Sequence, residues 1–237
     1  MAVEATGRRD VPAVEDVAML PEHWMWFGRL AVKTVLRRYD VHVHGAEHVP
    51  AQGSVILASN HMGYLDGPLL FATSRRGVHC MVKESMFSGP MGFGLVRMGQ
   101  INVDRYHTDP LAVKQALRLL RGSGVVAIYP EGARGRGDVA TTKGGAAYLA
   151  LVTGAPVVPV ACLGTRKDGA SPEVHPPIGS RLDLVIGPPL HVDAVPWPRT
   201  KRQVAAVQDT IQEVLSEHVR AACDLTGQTL PSPPLGG

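Results

Sequence analysis

The sequence predicts an α/β fold: a mixed, largely parallel central sheet covered by helices and preceded by an N-terminal amphipathic helix. Three observations carry this expectation. Short β-rich apolar runs alternate along the chain with segments of helical length and period. Three of those runs, 54–59 (SVILAS), 125–130 (VVAIYP) and 157–164 (VVPVACLG), lack charge altogether, as strands buried on both faces require. Hydrophobic residues make up 45% of the 237-residue chain and charged residues 19%, enough apolar material for one sizeable core.

The elements follow in order. Residues 1–20 read as a flexible tail. Residues 22–38 (EHWMWFGRLAVKTVLRR) read as an amphipathic helix, with Trp24, Phe27, Ala31 and Val35 on one side and Arg29, Lys33 and Arg37 on another. Aromatic residues beside basic ones suit a helix lying in a membrane interface; a helix packed on the domain with solvated Arg and Lys is the plainer alternative. Strands are expected at 40–50, 54–59, 78–83, 100–105, 125–130, 157–164 and 181–190. Between them fall helices at 66–76, where Asp66 stands near the start and Pro68 in the first turn, and at 109–124, with Asp109 to cap it, Pro110 first and Gly122 at its end. Further helices are expected at 141–154 and 200–223, the latter with Val204, Val207, Ile211, Val214 and Leu215 inward. The apolar, Gly-rich stretch 86–99 is left without an assignment. The expected organisation is therefore a flexible tail (1–20), an amphipathic membrane-surface helix (21–39), one α/β domain (40–223) and a second flexible tail (224–237).

Composition narrows the function classes. A net charge of +3 permits attraction to anionic lipid or phosphate but is too small to indicate nucleic acid. The three cysteines, Cys80, Cys162 and Cys223, are far apart and follow no metal-binding spacing, which points to reduced thiols in a cytosolic protein. The opening residues are polar and acidic, so no secretory leader is expected. Residues 144–165 carry no charge, yet Gly154, Pro156 and Pro159 interrupt them, so we expect a helix, a turn and a buried strand rather than a membrane span.

Four constellations carry chemistry, each where a predicted strand ends, the position at which α/β sheets gather their sites. In Asn60-His61-Met62-Gly63-Tyr64-Leu65-Asp66 the turn can fold a carboxylate back onto an imidazole, which fixes the tautomer and leaves the other ring nitrogen to take a proton. With ten histidines in the chain, that spacing alone carries little. In Gly99-Gln100-Ile101-Asn102-Val103-Asp104-Arg105 a strand delivers a forked donor suited to phosphate, or a surface arginine paired with Asp104. Tyr129-Pro130-Glu131-Gly132-Ala133-Arg134 places a Pro-Glu-Gly turn before a basic loop. In Val157-Val158-Pro159-Val160 a proline interrupts a strand, which implies an edge, a bulge or a strand end.

Together and in this order the four segments resemble the blocks NHxxxxD, GxIxxxR, Pro-Glu-Gly and apolar-with-proline of the glycerol-phosphate and lysophosphatidic acid acyltransferases. VKESMF at 82–87 and TKGGAAYLA at 142–150 resemble smaller segments of that family, and the likeness covers about residues 41–190. The resemblance implies a glycerol-phosphate acyltransferase-like fold and transfer of a fatty acyl group from a thioester to the free hydroxyl of lysophosphatidic acid. His61 would be the general base and Asp66 its orienting partner. Arg105 and Arg134 would contact the acceptor phosphate, Glu131 and Gly132 would shape the acceptor site, and Pro159 would line the acyl side. The Gly63 N–H is a candidate oxyanion donor. No cofactor is implied beyond acyl-CoA or acyl-carrier protein as co-substrate, and no metal. The implied partners are a membrane lipid surface, a lysophospholipid acceptor and an acyl thioester donor, with no nucleic acid, at the inner face of the cell membrane. Ala133 stands where the family usually carries Thr or Ser, which leaves another lysophospholipid or a glycolipid open as acceptor.

Rival readings fare less well. No serine has glycine two before and two after it, so the nucleophile elbow of a serine hydrolase is absent. Neither a Walker P-loop nor GxGxxG occurs. A non-enzymatic lipid-surface binder would use the 22–38 helix but would have no need of His61 and Asp66 together.

Overall fold

The computed structural model describes residues 12–232. Seven strands form the sheet: β1 (Asp40–His44), β2 (Val55–Ser59), β3 (His79–Lys83), β4 (Ile101–Val103), β5 (Val125–Ile128), β6 (Val157–Leu163) and β7 (Arg181–Ile186). Their spatial order is β1-β7-β6-β2-β5-β3-β4, and every neighbouring pair is parallel except β6–β7. The mixed, largely parallel sheet expected from the sequence is the one observed.

β2, β5 and β6 occupy the centre, and every residue in them is buried. Alternation across the pleat divides the core. Ile56 and Ala58 of β2 join one apolar cluster, and Val55 and Leu57 join the other. The first cluster is covered by α4 (Pro110–Arg121), α5 (Gly145–Thr153) and α6 (Lys201–Thr226). The second is covered by α1 (Met25–Leu36) and α2 (Asp66–Thr73).

Local chemistry sets the helix ends. The Asp109 carboxylate accepts from Ala112 N at 3.0 Å, and Pro110 opens α4 without a wasted donor. Thr200 and Gln203 form a reciprocal capping box on α6, whose far end is Gly227 in the left-handed region. The charge-free run is α5, a turn at Gly154 (φ 67°) and β6, as expected. Among the described residues no helix is long and apolar enough to cross a membrane.

Three expectations change. The unassigned 86–99 stretch contains a helix, α3 (Gly89–Arg97). Three glycines lower its helical propensity, yet Gly92 is needed there: a Cβ would lie 2.2 Å from the Phe87 carbonyl carbon. The expected tail 1–20 is packed where it is described. Val14 and Val17 are buried, Lys114 meets Asp16 at 2.9 Å, and Arg118 donates to the carbonyls of Val14, Glu15 and Val17. Residues 1–11 lie outside the described residues. At the other end α6 continues to Thr226, beyond the expected boundary, and Ser232 is held between Asp168 and Arg166. Residues 233–237 lie outside the described residues.

Helix α6 depends on side chains such as Leu215, which is fully buried against the sheet. Leu215→Ala is expected to lower unfolding free energy by about 2–5 kcal/mol, the usual range for a core Leu truncation. Urea denaturation followed by circular dichroism measures it.

Candidate active site

The carboxyl end of β2 delivers the site. Ser59 is the last strand residue, and Asn60 turns the chain out of the sheet. Asn60 Oδ1 accepts from Cys162 N at 2.8 Å, and its Nδ2 donates to Cys162 O at 3.2 Å and Gly137 O at 3.3 Å. Its side chain thus ties the β2 end to β6 and to the loop after β5.

His61 follows, with only 6% of its surface exposed. Its main chain is held on both sides: His61 N donates to Glu131 Oε1 at 2.7 Å, and His61 O accepts from Gly135 N at 2.8 Å. Its ring stacks on Tyr129 with centroids 4.2 Å apart. His61 Nδ1 lies 2.8 Å from Asp66 Oδ2. A carboxylate only accepts, so Nδ1 donates to it, which in the neutral ring leaves the lone pair on Nε2.

Asp66 has no exposed surface. Oδ2 also accepts from Met62 N at 2.8 Å and Gly63 N at 2.9 Å, while Oδ1 accepts from the Thr165 hydroxyl. Leu65, not Asp66, is the N-cap of α2. The Asp66 side chain therefore points back into the loop rather than forward over the helix end. These bonds correct another expectation. The Gly63 N–H already serves Asp66, so it is not available as an oxyanion donor. Gly63 is required for closeness instead: a Cβ there would lie 2.5 Å from the Thr165 carbonyl oxygen.

His61 lines a cavity of about 500 Å³. Its apolar wall comes from Val32 of α1, Phe71 of α2, and Met91, Leu95 and Met98 around α3, with Met81 and Met86 nearby. Lys83, Arg105 and Arg134 line the same space. The sequence-predicted His61, Asp66, Arg105 and Arg134 are thus brought to one site. Burial, then the neighbouring Arg134, pulls Arg105 below the ordinary guanidinium value. Arg134 donates to Glu173 Oε1 at 2.7 Å and lies over the Tyr64 ring at 5.3 Å. A second cavity, about 360 Å³, shares Met81, Arg105 and Tyr129 with the first, and Gly132 and Lys143 line it.

Two expected residues sit differently. Gly132 closes the turn after β5, with φ 74° and its N–H on Tyr129 O at 2.9 Å; a Cβ would press on the Lys143 side chain. Pro159 lies inside β6, opposite Ala58, and lines neither cavity. The paired register with β7 begins at Val160, so the proline stands where that ladder opens, its carbonyl accepting from Gly187 N at 2.9 Å.

Sequence reasoning missed Thr165, Tyr129 and Glu173 as members of the site. Thr165 follows Gly164 just past the end of β6, a position where a strand-end rule could have found it. His42 and His44 stack at the sheet edge, where each meets a carboxylate.

Comparison with known proteins places the chain in a family. Residues 40–163 match the family model described as Acyltransferase. The chain belongs to the acyltransferase family. It is 29% identical over 190 residues to a 1-acyl-sn-glycerol-3-phosphate acyltransferase of Bacillus subtilis, covering 79% of this chain and 92% of that one. A protein of the same name from Borreliella burgdorferi is 31% identical over 129 residues, 53% of this chain and 52% of that one. The solved 1-acyl-sn-glycerophosphate (LPA) acyltransferase PlsC from Thermotoga maritima superposes with a TM-score of 0.62 over 86% of this chain and 79% of that one. At 21% identity this shows a shared fold. The acyltransferase domain as matched ends at β6, so Thr165 and Glu173 lie beyond it.

Glu131 gives the site a pH signature. Burial raises its carboxyl to about 7; the bond from His61 N opposes the shift, and Asp138 and Asp66 add to it. The folded protein therefore holds this proton more tightly than the unfolded chain, whose carboxyl titrates near 4.5. The Glu131 contribution to stability is full below pH 4.5 and is lost as pH rises through about 7. Glu131→Gln keeps an oxygen for His61 N and removes the titration. Its melting temperature relative to the parent is expected to rise between pH 4.5 and 8, as read by thermal scans across that range.

Proposed function

We propose that this acyltransferase moves a fatty acyl group from an acyl thioester, on CoA or an acyl-carrier protein, to the free hydroxyl of lysophosphatidic acid, giving phosphatidic acid. The observation that carries the reading is the His61–Asp66 pair, 2.8 Å apart, on a cavity lined both by apolar side chains and by Lys83, Arg105 and Arg134. Such a cavity suits a molecule with an acyl tail and an anionic head. The names of the Bacillus and Borreliella relatives point to the same acceptor.

In this reading His61 Nε2 takes the proton of the acceptor hydroxyl as its oxygen attacks the thioester carbonyl. The tetrahedral adduct collapses, the C–S bond breaks, and the leaving thiolate receives the proton from His61. Asp66 holds the ring and stabilises the imidazolium between the two steps. Thr165 and the Met62 and Gly63 amides fix Asp66, and Glu131 fixes the His61 main chain. Gly132 shapes the turn that carries Glu131. Arg105 and Arg134 bind the acceptor phosphate as forked donors.

The same reading places the protein at a membrane surface, peripheral on the inner face of the cell membrane. Helix α1 packs inward through Met25 and Leu36, while Trp26 and Phe27 are 66% and 62% exposed. Met91, Phe93 and Val96 of α3 are exposed beside it, and Trp24 meets Phe93 edge-on at 6.0 Å. Arg97 lies over both rings. Of the basic stripe expected on α1, Arg29 instead donates inward to Ser74 O. Because α1 and α3 also wall the cavity, a lipid acyl chain can pass from the bilayer to His61 with little exposure to water.

Purified protein with acyl-CoA and lysophosphatidic acid is expected to release free CoA and form phosphatidic acid. His61→Ala should lower kcat by about 10²–10⁴ or more while leaving the circular dichroism spectrum intact. Parent-level turnover in that variant would refute the mechanism. Turnover on a different lysophospholipid or a glycolipid, with none on lysophosphatidic acid, would move the acceptor alone. Separately, Trp26→Ala with Phe27→Ala should weaken binding to phosphatidylglycerol vesicles at least about tenfold, since each large apolar side chain contributes roughly 1.5–3 kcal/mol when buried. Vesicle co-sedimentation measures it.

A further inference from the structure

We propose that Glu173 holds the place of the acceptor's phosphate on Arg134, so that the acceptor binds by displacing it. This rests on the acceptor site described above and adds to it a residue from outside the matched family region, in the connection between β6 and β7.

The pair is lopsided. The Arg134 side chain is 18% exposed and lines the cavity that holds His61; the Glu173 side chain is 74% exposed. Arg134 is seated by the protein, over the Tyr64 ring, and its Nε is buried without a hydrogen-bond partner. Glu173 reaches in from solvent. An ion pair with one partner this exposed contributes little to stability and opens readily. A structural salt bridge would have both partners fixed, and here only the cation is.

The charge balance of the cavity points the same way. Lys83, Arg105 and Arg134 line it, and among the described residues Glu173 is the one carboxylate in its lining. One carboxylate leaves that cluster short of negative charge. A phosphate monoester brings close to two charges and more acceptor oxygens, so it competes well for Arg134. The exchange needs only a side-chain swing. The segment bearing Glu173 is held independently, by the turn from Ser171 O to Val174 N at 3.0 Å and by the His175 ring against Tyr64 at 4.8 Å. A neutral headgroup has nothing with which to displace the carboxylate, and for it the Arg134–Glu173 pair stays closed.

Glu173→Gln and Glu173→Ala test this in the full-length protein. Two measurements are made on each: KM and kcat for lysophosphatidic acid and for acyl-CoA, and titration calorimetry with sn-glycerol 3-phosphate, the soluble headgroup. Both variants are expected to lower the KM for lysophosphatidic acid about two- to fivefold, the range of an exposed ion pair removed. The gain should lie in KM rather than kcat, and glycerol 3-phosphate should bind more tightly by a similar factor. The acyl-CoA KM should not move. A lower KM for acyl-CoA instead would assign the displaced anion to the donor and overturn the proposal. Equal or weaker headgroup binding in the variants, or no saturable binding in any form, would also overturn it. If the parent protein does not turn over lysophosphatidic acid, the acceptor assignment fails on that observation alone, and the headgroup titration still decides the role of Glu173.

Discussion

The structure turns on one carboxylate. Asp66 has no solvent contact and accepts from the His61 ring, two backbone amides and the Thr165 hydroxyl. Those donors come from the loop after β2 and from the chain just past β6, two strands that are neighbours in the sheet. A buried carboxylate without these bonds would be strongly unfavourable, so the group requires the loop and both strand ends to keep their relative positions. That requirement extends outward. Gly63 has no side chain because Thr165 must approach, and Asn60 ties β2 to β6 a second time. The imidazole is consequently presented by a rigid framework rather than by a mobile loop, which suits a proton transfer that depends on tenths of an ångström.

The sequence made the sheet legible because its central strands are charge-free and bounded by turn residues. All seven strands fall within the expected runs, and the parallel centre follows from burial on both faces. Helix α3 was hidden because glycine is a poor helix former, and its Gly92 serves contact with Phe87 instead of propensity. The packed N-terminal segment was hidden for a related reason. Its order comes from Arg118, a residue about a hundred positions away, and no local pattern announces such a partner.

The site divides in the same manner. His61 and Asp66 are five residues apart, so the turn that joins them can be read from spacing. Thr165 and Tyr129 reach the pair only through strand order, and Glu173 reaches the cavity only through the connection between β6 and β7, where it meets Arg134. Pro159 shows the opposite error. The family resemblance implied the acyl wall, yet the proline's position answers a need of the sheet, where the β6–β7 ladder opens, as a proline inside a strand-like run implies. Gly63 is similar: a glycine amide near a catalytic histidine suggests an oxyanion donor, and the fold uses it to hold Asp66.

The cavity wall has one further consequence. Met81, Met86, Met91 and Met98, half of the chain's eight methionines, face it. Unbranched thioether side chains rotate freely and fill irregular space, so this wall reshapes itself around its contents rather than gauging them against a fixed floor. The same sulfurs are oxidisable. Conversion to sulfoxide would make the wall polar and stiffen its fit, so peroxide would act on this cavity through its methionines, beside the free Cys80 thiol that lines the same space.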